Sequence, residues 1–212
     1  MLKDLAQRAY SNYATLQNSY DLALLCKGLD GDFVECGVAA GSQVAAMHRA
    51  APDKKIWLFD SFEGIPLAGK YDLTQPGIGV ISHDVNGYLL TTSGITAVTQ
   101  EQVKQHFAEW NIDDSNFEYV QGWFENTVPE NKIEKISLLR LDGDLYNSTK
   151  VCLEYLYPKV VDGGWLIIDD YGLDGCKKAV DEYFNLDNER NKIVLSYQVV
   201  KGTKTVIYFQ KQ

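Results

Sequence analysis

Two stretches of this chain, Leu139-Arg140-Leu141-Asp142-Gly143-Asp144-Leu145-Tyr146 and Trp165-Leu166-Ile167-Ile168-Asp169-Asp170-Tyr171, each run apolar residues straight into paired carboxylates. A strand covered on both faces of a sheet reads as a continuous apolar run, and open α/β sheets bind ligands beyond the carboxyl ends of such strands. The pattern therefore predicts two parallel strands whose tips deliver Asp142, Asp144, Asp169 and Asp170 to one crevice. Carboxylates crowded together raise one another's pKa unless a cation neutralises them. A divalent metal is the economical explanation, and an all-carboxylate set suits Mg²⁺, with Mn²⁺ or Ca²⁺ as substitutes, and argues against zinc or copper. The rival role for Asp169 and Asp170, capping the following helix, leaves Asp142 and Asp144 unexplained.

The rest of the chain alternates strand and helix. Leu5 to Leu24 has helical spacing, giving one or two helices within an N-terminal segment, residues 1–30. Asp32 to Val38 reads as a first strand that turns at Gly37 to Gly41 into a helix from Ser42 to about Ala51, and Lys55 to Phe59 as a second strand. Thr99 with Gln102 resembles a capping box opening a helix to about Trp110. Phe117–Gln121, Ile136–Leu141 and Gly164–Ile168 are the next strands, with helices at Ser148–Tyr157, where Ser148 is expected to cap, and Gly172–Phe184. Residues 192–200 and 203–210 flank Lys201-Gly202, a hairpin signal. The expectation is an α/β, Rossmann-like, seven-stranded, mostly parallel sheet flanked by helices, with one antiparallel strand in the C-terminal hairpin. The whole of 1–212 reads as one domain, and the glycine-punctuated stretch 61–98 as a lid or substrate insertion. His83 and Tyr88 in it are candidate substrate contacts, which a solvated loop explains equally well.

A formal net charge of −9 disfavours nucleic acid and anionic membrane surfaces, which demand a basic face. No apolar run approaches the roughly 20 residues of a membrane span, and the start of the chain lacks a secretory apolar core, so a cytoplasmic location is expected. Cys26, Cys36, Cys152 and Cys176 have neither metal-site spacing nor scaffold density, and read as reduced structural thiols.

At the end of the first strand the glycines are spaced GxxxG, which argues against a dinucleotide fingerprint. Glycine lets a ligand lie against backbone, and Glu35, an acid inside an apolar strand, is costly to bury without a partner. A ligand ammonium would supply one; a local backbone amide is the alternative. Asp60 stands about 20 residues beyond the glycine turn, where nucleotide folds place an acid on ribose hydroxyls. Gln121-Gly122-Trp123 follows the third strand, with Trp123 offering either a stacking face for a base or a core side chain.

The strings VECGVAAGS, LFDSFEGIP, GWFENTVP, LLRLDGDLYNST and GGWLIIDDYG, in that order between about Asp32 and Tyr183, closely resemble the macrocin O-methyltransferase (TylF-like) family. The resemblance implies a class I methyltransferase fold, S-adenosyl-L-methionine as methyl donor, a magnesium ion, and a small-molecule acceptor, usually a hydroxyl of a sugar on a natural product. Carried over residue by residue, it implies that Asp142, Asp169 and Asp170 hold the metal and that Asp144 is the general base. Glu35, Gly37, Ser42, Asp60 and Ser61, with Gly122, Trp123 and Asp142, would bind the donor. It also implies a homodimer, with which an aromatic-rich N-terminal helix agrees. A catechol or other phenol is the alternative acceptor, and a non-catalytic donor-binding module the alternative function.

Overall fold

The computed structural model describes residues 2–9, 12–72, 96–186, 196–200 and 203–212. Strands β1 (Asp32–Cys36), β2 (Ile56–Asp60), β3 (Phe117–Gln121), β4 (Ile136–Leu141), β5 (Val160–Ile168), β6 (Ser196–Val200) and β7 (Thr203–Gln210) form one seven-stranded sheet in the order β3-β2-β1-β4-β5-β7-β6. β1 to β5 are mutually parallel, and β7 runs antiparallel to both β5 and β6. This is the expected arrangement with one reversed strand. The turn at Lys201-Gly202 and most of the expected lid, including His83 and Tyr88, lie outside the described residues.

Helices α1 (Tyr13–Cys26), α2 (Ser42–Ala50) and α3 (Gln100–Glu109) cover one face of the sheet, with α4 (Phe124–Thr127), α5 (Tyr146–Leu156) and α6 (Asp174–Phe184) on the other. Side chains of a strand alternate between faces, and the two cores divide accordingly. Phe33, Leu138 and Ile167 join Leu16, Met47 and Phe107 in one core. Val34, Leu139 and Ile168 join Leu153, Val180 and Phe184 in the other. Every residue of β4 is buried, which is why aliphatic residues occupy both faces of it, at Ile136, Leu138, Leu139 and Leu141. Each such aliphatic side chain contributes roughly 1.5–3 kcal/mol on burial.

The helix starts show how far local signals reach. Thr99 and Gln102 form the reciprocal capping box that their spacing predicts, and α3 begins there. The expectations for α5 and α6 are corrected. α5 begins at Tyr146, so Ser148 lies inside its first turn and does not cap it; the Tyr146 amide instead donates to Asp72 Oδ1 at 2.9 Å. Asp72, 2 % exposed, also accepts from the Gly69 amide at 2.9 Å, and so pins the 69–72 turn to the start of α5. α6 begins at Asp174 without a side-chain cap, and neither Asp169 nor Asp170 serves it. The four cysteines are buried free thiols, as expected. Among the described residues no helix is long and apolar enough to cross a membrane.

Candidate active site

The chain runs from β1 outward to β2 and β3, then returns to pair β4 against the other side of β1. Strand order reverses there, and the reversal opens a crevice at the carboxyl ends of β1 and β4. Gly37 makes the opening. At φ +93°, it passes so close to β4 that a Cβ would stand 1.8 Å from the Asp142 carbonyl oxygen, and a side chain is sterically excluded. A cavity of about 330 Å³ follows, within the range of small-molecule sites. Of the sequence-selected residues, Glu35, Gly37, Ser42, Asp60, Ser61, Trp123, Asp142, Asp144, Asp169 and Asp170 line it, whereas Gly122 does not. Gly122 turns the chain from β3 toward α4 at φ +141°.

Period-two alternation and register decide what meets at the base of this cavity. Arg140 on β4 pairs in register with Glu35 on β1 and with Ile167 on β5. Asp142 and Asp169 lie two residues beyond Arg140 and Ile167, hence on the same face. All three acids converge on Arg140, which is fully buried. Its Nη1 donates to Glu35 Oε1 at 2.7 Å and Asp142 Oδ2 at 2.8 Å, and its Nη2 to Asp169 Oδ1 at 2.6 Å. The cation that Glu35 needed is therefore supplied from within the protein. Even so, burial, with repulsion from Asp142 and Asp169 adding to it, outweighs Arg140 and pushes Glu35 up to about 8. Its Oε2, like Ser42 Oγ, is buried without a hydrogen-bond partner among the described residues.

Beyond this ion pair, Asp142, Asp144 and Asp170 bring carboxylate oxygens within 4.8 Å of one another. Asp144 has φ +58°, the left-handed region that aspartate tolerates better than most residues, and its amide donates to Asp170 Oδ2 at 2.9 Å. Desolvation, with Asp142 and Asp169 beside it, pushes the Asp144 carboxyl up to about 8. Asp170 rises well above the ordinary range through desolvation and repulsion from Asp144. Desolvation also outweighs the Arg140 contact at Asp169, pushing it up to about 6. Burial comes first among the causes of these shifts and repulsion between neighbouring acids second, so the acids tend to keep their protons. Asp169, like Asp142, has one oxygen committed to Arg140, but it is not one of the three acids whose oxygens lie within 4.8 Å of one another.

Asp60 is engaged largely by the fold. Its Oδ2 accepts from the Val38 and Ala39 amides at 2.6 and 3.1 Å, and its Oδ1 from the Phe62 amide at 2.7 Å, tying β2 to the glycine turn. Of roughly four acceptor positions on a carboxylate, three are filled, leaving one for a ligand hydroxyl. Ser61 Oγ accepts from the Glu63 amide and donates to the Gly64 carbonyl, both at 3.1 Å, shaping the loop under the cavity. Trp123 is half-buried on the cavity wall and is not part of either core.

Sequence reasoning missed Arg140 and Asp72. The signal that singled out Glu35, a charge inside an apolar strand, applies equally to Arg140. Asp72 carries no comparable signal, since its partners lie 74 and 3 residues away.

Residues 13–211 match the family model described as macrocin-O-methyltransferase (TylF). The chain is 38 % identical over 167 residues to 8-demethyl-8-(2,3-dimethoxy-alpha-L-rhamnosyl)-tetracenomycin-C 4'-O-methyltransferase of Streptomyces olivaceus, a match covering 76 % of this chain and 60 % of that protein. It is 35 % identical over 187 residues to demethyldecarbamoylnovobiocin O-methyltransferase of Streptomyces niveus, covering 85 % and 66 %. The match thus spans less than two thirds of the length of either relative. A solved structure described as the O-methyltransferase NovP superposes with a TM-score of 0.77 at 30 % identity, covering 97 % of this chain and 82 % of that one. That likeness agrees with the class I methyltransferase fold expected from the sequence. With nearly its whole length matched and the acidic strand ends gathered in one cavity, the chain belongs to the macrocin O-methyltransferase (TylF) family.

Proposed function

We propose that this protein transfers a methyl group from S-adenosyl-L-methionine to a hydroxyl of a sugar or glycosylated natural product, with Mg²⁺ in the acidic cluster. One observation carries the reading: a single cavity places unpartnered Glu35 Oε2 and Ser42 Oγ, beside a glycine turn, next to the Asp142, Asp144 and Asp170 carboxylates. The relatives' names, a rhamnosyl-tetracenomycin and a novobiocin-precursor methyltransferase, support a glycosylated acceptor.

The acidic cluster fits a hard cation. Its donors are all oxygen, and a bound cation would offset the burial and mutual repulsion that raise the proton affinities of Asp144 and Asp170. When bound, such an ion supplies Lewis-acid polarisation and a fixed direction for a hydroxyl. Asp142 and Asp170, with Asp169, would hold it. Asp144 takes the acceptor's proton, and desolvation sharpens its basicity. At the donor end, Glu35 and Ser42 offer buried polar atoms, Asp60 one acceptor position for a ribose hydroxyl, and Trp123 a face for the base. Gly37, Ser61 and Gly122 shape the backbone around them. Methyl transfer is an in-line displacement, so the residues' main task is alignment, which can contribute up to ~7–11 kcal/mol.

The test is an acceptor screen with labelled donor and Mg²⁺. Glycosides should accept label in preference to diphenols, and a chelator should abolish transfer. Preference for diphenols would move the acceptor to the phenol class, and absence of donor binding in calorimetry would refute the enzyme reading. A homodimer is proposed as well, since Leu24 and Leu25 at the end of α1 are 50 % and 65 % exposed. Light scattering returning a monomer mass would overturn it.

A further inference from the structure

We propose that Arg140 is a positioning residue that couples the two ends of the cavity, holding one oxygen each of Glu35, Asp142 and Asp169 so that the donor and cation sites form together. The inference rests on the functional reading above and assigns a role to a residue that touches neither ligand.

Of the seven carboxylates that line this cavity, Glu35, Asp142, Asp144, Asp169 and Asp170 crowd the ends of β1, β4 and β5, apart from Asp60 and Glu125. Arg140 divides them. Three are clamped through single oxygens at 2.6–2.8 Å, while Asp144 and Asp170 stay outside its reach. Each clamped acid keeps a second oxygen for other work: Glu35 Oε2 is unpartnered in the donor end, and Asp142 also belongs to the acidic cluster. A planar guanidinium presents its donors in a rigid fork, so the three bonds fix orientation as well as charge. Glu35, Asp142 and Asp169 come from three different strands, and no other described side chain bonds to more than one of them. Arg140 is itself 0 % exposed, so water cannot substitute for it.

Charge and orientation make opposite predictions, which gives the test its power. If Arg140 acted only as a nearby positive charge, removing it would tighten Mg²⁺ binding. If it orients the acids, removing it loosens Mg²⁺ binding although a repelling charge is gone. A purely structural residue would lower the melting temperature and leave the affinities of the folded fraction unchanged.

The experiment measures Mg²⁺ and S-adenosyl-L-methionine affinities by calorimetry on wild type, Arg140→Lys and Arg140→Gln, with circular dichroism establishing the folded fraction. Loss of an outer residue that orients metal ligands typically costs about 10- to 100-fold in metal affinity. Arg140→Lys, which keeps the charge and loses the fork, should weaken Mg²⁺ about tenfold and weaken the donor as well. Arg140→Gln should weaken both further. Tighter Mg²⁺ binding in Arg140→Gln, or wild-type affinities in folded Arg140→Lys, overturns the proposal. Wild type that binds neither ligand refutes the functional reading instead. Should both variants fail to fold, a crystal of wild type with Mn²⁺ and S-adenosylhomocysteine decides. Arg140 must then still bridge Glu35, Asp142 and Asp169, and a guanidinium disengaged from them overturns the clamp.

Discussion

Asp144→Asn separates proton acceptance from metal binding more cleanly than any other change at this site. Asparagine is nearly isosteric with aspartate and tolerates the left-handed φ of +58°, so the turn should persist. The amide of residue 144 still donates to Asp170 Oδ2, since that bond uses backbone. What disappears is a carboxyl that burial and neighbouring aspartates hold at about 8. Without a general base, turnover should fall by about 10²- to 10⁴-fold, on the order of 3–5 kcal/mol in the barrier. Donor affinity should stay within about twofold and Mg²⁺ affinity within about threefold, the small changes that 1.4 kcal/mol per decade makes negligible beside the kinetic loss. The same variant should stabilise the metal-free fold. An acid whose folded pKa lies above its unfolded one destabilises the native state increasingly as pH rises from about 4 to about 8. The gain in melting temperature over wild type should therefore be absent below pH 4 and grow through that window. Steady-state kinetics, calorimetry and melts with chelator measure all three. Turnover within threefold of wild type removes Asp144 from the base role, and a loss of Mg²⁺ affinity equal to that of Asp170→Asn makes it a metal ligand.

Other outcomes follow from the same geometry. Asp170→Asn should raise the Mg²⁺ concentration for half-maximal activity at least about tenfold with donor affinity unchanged, since the carboxylate belongs to the cluster and not to the donor end. In wild type, the apparent Mg²⁺ affinity should rise as pH passes upward through about 6, because the cation displaces protons held by the desolvated Asp169 and Asp170; calorimetry in buffers of different ionisation enthalpy would show proton release, and a flat profile would contradict it. Asp72→Ala strands the Tyr146 and Gly69 amides and should cost about 1–3 kcal/mol in urea unfolding, whereas a change below about 0.5 kcal/mol would deny Asp72 its anchoring role. Gly37→Ala would set a Cβ 1.8 Å from the Asp142 carbonyl oxygen and should abolish folding or donor binding; a folded variant with normal donor affinity would refute the close-packing argument.

Much of the architecture was readable because its signals are local. The apolar runs of β4 and β5 exist because both sheet faces are covered, and the Thr99 to Gln102 box closes within a single turn. Ser148 misled because a serine near a helix start is a common cap, while the actual cap is Asp72, delivered from another part of the chain. The capping alternative for Asp169 and Asp170 failed for a related reason, since their partners are Arg140 and the Asp144 amide rather than α6.

The sequence by itself determined that four aspartates end two adjacent parallel strands, that a glycine turn follows the first strand, and that Glu35 is buried in need of a positive partner. Only tertiary structure decided what that partner is. Strand register sets Arg140 level with Glu35, and the two-residue pleat then aims Asp142 and Asp169 at the same guanidinium. Register between partners 105 and 29 residues apart is a property of the assembled sheet, and no spacing within one segment encodes it.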